Sequence, residues 1–171
     1  MTFYIYKVGC GSNKKKSLYK LIRYFRIILN CKLISMTTGE KIIYFVLAGI
    51  QAFVAIGALP VGYLFITHPD GSELGMSVSM LADSPFHDFF LPGIALFTFN
   101  GVFHLLNAVL CFFRHHFAPC FAIILGCGLI IWILVQVYSI GLNSFLQPTF
   151  FAIGSAELSL GIILIKKQNR E

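Results

Sequence analysis

All 13 Lys and Arg residues of this chain fall outside four long apolar stretches, and always beside the same ends of them. Nine, from Lys7 to Lys41, precede the first stretch, Arg114 stands between the second and third, and Lys166, Lys167 and Arg170 follow the fourth. The other two connections hold none. Membrane insertion retains Lys and Arg in short cytoplasmic connections. The pattern therefore predicts an all-α integral membrane four-helix up-down-up-down bundle with N and C termini cytoplasmic. Charged residues make up 12% of the 171 positions, against about 25% in soluble domains, which leaves too little polar surface to solvate a globule. The net charge of +6 needs no nucleic acid partner, because most of the basic residues are juxtamembrane and suit anionic headgroups.

Two segments follow from composition: a basic extension over 1–35 and a transmembrane domain over 36–171, with helices at about 42–67, 89–113, 117–140 and 148–165. In the extension, Lys14, Lys15 and Lys16 precede Lys20, Arg23 and Arg26, spaced among Leu, Ile, Tyr and Phe. On a helix that spacing gives a basic stripe beside an apolar one, suited to the headgroup interface. A second reading stands beside it: Met36 opens a natural-looking start, and 1–35 is then an upstream extension. Thr37 and Glu40 have capping-box spacing ahead of the first helix. Pro60 and Pro92 are kink candidates. Ser84-Pro85 reads as N-cap and first residue of the second helix, and Pro148 opens the fourth. Leu74 to Ala82 is semi-apolar and suits a short surface helix. Tyr44, Tyr63 and Tyr138 fit an aromatic belt.

Polar residues at membrane depth are the informative exceptions: Gln51, Asn100, His104, Asn107, Gln136 and Glu157. An unpartnered polar group in lipid costs several kcal/mol, so these side chains should face the bundle interior. Asn100, His104 and Asn107 share one helical face by spacing. Glu157 sits near the middle of the fourth helix, with His104 and Gln51 at similar depth. Two readings are open. The polar groups act as interhelical hydrogen-bond glue, or Glu157 and His104 form a titrating, ligand-binding or substrate site, the default reading of an ionisable group in a membrane.

Asp70, Glu73, Asp83 and Asp88 make the longest loop acidic. His68 and His87 join them as residues of ligand type, but no metal-ligand spacing occurs, and no metal is expected. Five Cys without a C-x-x-C point to packing residues rather than a disulfide framework or a zinc site. No Ser-His-Asp or Cys-His constellation and no phosphate-binding glycine loop is present, so no catalytic residue is assigned. Gly126-Cys127-Gly128 reads as a close-packing notch.

The segment from Ser84 to Gly93, SPFHDFFLPG, resembles one found in small uncharacterised four-helix bacterial membrane proteins. So do the runs Trp132 to Val137 and Phe145 to Pro148. The resemblance covers about 36–165 and implies a location and an architecture but no reaction. Similarity to DoxX-like proteins is architectural only, and the Cys and Trp pattern of claudin-type proteins is absent.

The leading expectation is a structural or accessory component of the bacterial cytoplasmic (cell) membrane. Its partners are then the lipid bilayer and either further copies of itself or a larger membrane complex. One alternative is an oligomeric small-solute or cation/proton transporter or channel subunit, with Asn100, His104, Gln136 and Glu157 along its path. A second is a quinone- or lipid-linked membrane enzyme partner. No cofactor is implied: His104 is the only mid-depth His, which disfavours a bis-His haem within one chain.

Overall fold

The computed structural model describes residues 36–169, apart from 83 and 143. The basic extension, Cys10, Cys31, Asp83 and Arg170 lie outside the described residues. The chain divides into Met1–Thr37 and Thr38–Glu171, and every described helix belongs to the second unit.

The described residues are helical, with no strand among them. Four helices are long and apolar enough to cross a membrane: α1, Thr38–Thr67; α2, Phe90–Phe112; α3, Ala118–Ile140; and α4, Leu146–Gln168. In lipid every backbone polar group must be satisfied within the segment, which favours helix over any open strand. At most 39% of the most apolar window of any span is buried. The outward faces, with Phe53, Ile56, Leu91, Phe113, Ile131 and Leu134 exposed, are therefore apolar in their own right, matched to hydrocarbon rather than water.

Glycines set how the helices meet. A Cβ on Gly62 would lie 2.6 Å from the backbone nitrogen of Phe97, and one on Gly93 would lie 2.7 Å from the Phe65 Cβ, so α1 and α2 cross in direct contact. On the other side, a Cβ on Gly126 would lie 2.8 Å from the Gly154 carbonyl oxygen, and one on Gly161 would lie 2.9 Å from that of Pro119. Of the expected notch on α3, Gly126 is filled by the α4 backbone, whereas Gly128 faces open space and Cys127 is exposed. Small residues let helices approach closely where lipid gives no hydrophobic drive to association.

The second helix departs most from expectation. Its spanning part begins at Phe90, close to the expected 89, but the helical lead-in expected from Pro85 is absent. Ser84 caps a turn instead, its Oγ accepting the Phe86 N–H at 3.2 Å and donating to the Leu81 carbonyl at 2.9 Å. Asp88 takes the capping role: its Oδ1 accepts the Phe90 N–H at 3.0 Å. Phe89 explains the delay. Its N–H donates to the Pro69 carbonyl at 2.9 Å, and its ring stacks on Phe65 with centroids 4.8 Å apart. Pro92 consequently falls in the first turn, where an absent N–H leaves no intrahelical bond unmade. The irregularity lies farther on, as a π-helix over Leu96–Phe103 between two α-helical parts, Phe90–Ala95 and His104–Phe112.

The semi-apolar loop is not one surface helix. It forms two short 3-10 turns, Ser72–Leu74 and Val78–Leu81. Leu81 is buried against Phe65 and Phe89, with Leu74, Met76 and Ile140 around them, so the loop closes that end of the bundle. Gly71, at φ 76°, adopts a left-handed turn that favours glycine. Helix α3 ends on Gly141 at φ 73°, and α4 starts two residues earlier than expected, at Leu146. Ser144 Oγ accepts the Leu146 N–H at 3.2 Å, which leaves Pro148 in the first turn. Tyr44 is fully buried rather than part of an aromatic belt. Its hydroxyl accepts from Gln168 Nε2 at 2.8 Å, tying α1 to the end of α4. Tyr63 and Tyr138 are exposed.

Candidate functional site

Five of the six mid-depth polar residues point inward: Gln51, Asn100, His104, Asn107 and Glu157 are each at most 2% exposed. Gln136 does not join them. It is only partly buried on α3, a position that an evenly apolar helix gives no periodic signal to place. Gln147, buried near the start of α4, was not singled out from the sequence. Its Nε2 donates to the Gly141 carbonyl at 2.9 Å and fastens the α3–α4 turn.

The centre of the site is the contact of His104 with Glu157. His104 is the first α-helical residue after the π segment, and Nδ1 lies 2.9 Å from the Phe99 carbonyl oxygen in that segment. A carbonyl only accepts, so Nδ1 carries a hydrogen. Nε2 lies 3.3 Å from Glu157 Oε2, slightly longer than a typical hydrogen bond. With Nδ1 protonated, a neutral ring offers Nε2 as an acceptor. The contact then needs one further proton, either on the carboxyl, donating to Nε2, or on Nε2, donating to a carboxylate. Without it two acceptors would face each other in a buried site, which is costly. The geometry is therefore that of a pair holding one proton between α2 and α4.

The surroundings are partly satisfied. Asn107 Nδ2 donates to the Ala118 carbonyl at 3.2 Å, joining α2 to the start of α3. Gln51 Nε2 and Oε1, Asn100 Oδ1, Asn107 Oδ1 and Glu157 Oε1 are buried without a protein partner. Gln51 and Glu157 lie at comparable depth. The α1–α4 contacts of Phe53 with Phe150 and of Tyr44 with Gln168 bracket both residues. A Cβ on Gly126 would come 3.2 Å from the Glu157 Cβ, so the Glu157 side chain starts from the close-packed α3–α4 seam and its carboxylate reaches His104 on α2. Neither of two hollows at the surface is lined by these residues. One is an apolar groove between α1 and α2, and the other is a shallow depression at Pro85 to Leu91.

The acidic loop is organised by local bonds. Asp70 Oδ1 accepts from the Ser72 hydroxyl at 3.0 Å and from its N–H at 3.4 Å. These bonds hold the exposed carboxylate below its ordinary range, the hydroxyl bond first. His68 Nδ1 meets the Thr67 hydroxyl at 3.0 Å, Asp88 caps α2, and Glu73 is exposed. Among the described residues no three His, Cys, Asp or Glu gather at metal-binding distance.

Sequence reasoning used Arg114 only as a topology marker and missed its backbone conformation. Arg114 has φ 54°, the only non-glycine residue with positive φ among those described. Its N–H donates to the Cys111 carbonyl and that of His115 to Leu110, the two bonds of a Schellman cap that ordinarily places glycine there. The signal was the absence of any glycine in FFRHHF after a helix that must end.

Comparison with family models, curated proteins and solved structures gives no match for this chain.

Proposed function

We propose that this chain is a structural or accessory component of a bacterial cytoplasmic membrane. Its four helices then form an up-down-up-down bundle with both termini cytoplasmic, and the one-sided Lys and Arg distribution supports that orientation. The resemblance of the SPFHDFFLPG segment to small bacterial four-helix membrane proteins extends to location and architecture only. The observation that carries the reading is the His104–Glu157 contact: the two ionisable groups deepest in the bundle engage each other at 3.3 Å instead of lining either hollow. A polar pair shared between α2 and α4 fastens helices that lipid would otherwise leave free to separate.

A second reading, a cation or proton transporter or channel subunit, draws on the unpartnered atoms of Gln51, Asn100 and Glu157. Reconstitution into liposomes holding a pH-sensitive dye separates the two. The structural reading predicts that wild type and Glu157→Gln give the same proton and sodium leak as protein-free vesicles. Flux in wild type that Glu157→Gln abolishes would overturn it.

A further inference from the structure

The apolar groove between α1 and α2 has a volume of about 510 Å³, and Phe45, Ala48, Gly49, Ala52, Ala108 and Phe112 are among its walls. Its floor is small: a Cβ on Gly49 would meet nothing within 4 Å. From Phe45 to Ala52 it runs about 10 Å by helical rise, a large part of one leaflet's share of a hydrocarbon core of about 30 Å. The residue at its end is Arg114, just past the last turn of α2. The Arg114 guanidinium carbon sits 5.8 Å from the centroid of Phe45, a groove wall. Arg114 Nε is buried without a protein partner, and the residue makes no ion pair among the described residues. The backbone holds this side chain in a left-handed conformation at a cap position where glycine would be unstrained. A strained non-glycine residue kept at such a position points to a role for its side chain.

We infer that this groove binds a phospholipid with an anionic headgroup, one acyl chain along α1 and α2 and the phosphate on Arg114. A cation at headgroup level above an apolar trough is complementary to such a lipid in both charge and polarity. The inference rests on the chain lying in a bilayer and not on the fastening role of His104 and Glu157, so either can fail alone.

The test is native mass spectrometry of the full chain in mild detergent, titrated with phosphatidylglycerol or with phosphatidylcholine of the same acyl chains. Wild type should retain phosphatidylglycerol preferentially. Arg114→Gln should weaken that binding roughly tenfold, the scale of one charge-assisted hydrogen bond, and leave phosphatidylcholine unchanged. Arg114→Gly should do the same while relieving the backbone, so a folding defect cannot explain the loss. Gly49→Leu, at a position where an added Cβ has open space, should fill the trough and weaken both lipids. Equal retention of the two lipids by wild type, or unchanged phosphatidylglycerol binding in Arg114→Gly, would overturn the inference. So would a lipid-independent dimer lost in Gly49→Leu, which would assign the groove to a second copy.

Discussion

The two helix pairs of this bundle use the same device to different ends. Both α1 with α2 and α3 with α4 close on glycines whose added Cβ would strike the facing helix below 3 Å. Helices α3 and α4 are unbroken α-helices of 23 residues each, and the only ionisable group buried within their seam at mid-depth is Glu157. The first pair holds Gln51, Asn100, His104 and Asn107, and α2 passes through eight residues of π-helix just before His104. A π segment gives up α-helical geometry and commonly marks a functional position. Here it presents the Phe99 carbonyl to His104 Nδ1, and so sets which ring nitrogen faces Glu157. The regular pair supplies a fixed wall; the irregular pair supplies the side chains aimed at it.

The comparison breaks most readily at the glycines. Gly62→Ala should cost about 1–3 kcal/mol, the usual range for overpacking. Gly126→Ala should cost a similar amount, because in both cases the obstacle is backbone. Gly128→Ala, whose Cβ meets nothing within 4 Å, should leave the midpoint of detergent unfolding unchanged. If Gly62→Ala proves as mild as Gly128→Ala, the first pair does not rely on close approach.

Removing the polar load of the first pair should have the opposite sign. Gln51→Leu eliminates two buried atoms without protein partners and should raise stability by about 1 kcal/mol. A loss in the same unfolding assay would mean that the amide is engaged. Arg114→Gly should stabilise the α2–α3 turn by about 1 kcal/mol by removing left-handed strain, read from hydrogen exchange at His115 and His116. The smallest effect is at the acidic loop. The folded-state value of Asp70 is depressed, so its turn contributes fully above the ordinary aspartate range. It loosens only as pH falls through the lowered value. Chemical shifts of the Ser72 amide should follow that titration, and Ser72→Ala should move it upward.

Helix existence was legible because length and apolarity decide it, and each of the four helices lies near its expected place. Burial of Asn100, His104 and Asn107 was legible too, since three polar side chains on one helical face have only the interior to turn to. The incomplete burial of Gln136 was not, because α3 is apolar all round and no face of it is marked. The start of α2 was hidden for a different reason. Ser84-Pro85 has proper cap chemistry, but Phe89 is held by Pro69 and Phe65 from elsewhere in the chain, and that tertiary hold delays the helix to Phe90. Tyr44 shows the same thing: its place in a belt was read from depth alone, whereas its hydroxyl is engaged by Gln168, 124 residues away. The juxtaposition of His104 with Glu157 was legible from their similar depth, and the α3–α4 seam in part from the small residues at Gly126, whereas the π segment that orients the His104 ring leaves no local signature.

That pairing can be tested by a double-mutant cycle of His104→Gln and Glu157→Gln, read as unfolding free energy in mixed detergent micelles. If one proton shared between α2 and α4 fastens the bundle, the two substitutions should be non-additive, with a coupling of about 0.6–2 kcal/mol. Strict additivity would show that the two side chains stabilise the protein independently, and would contradict the shared-proton pairing.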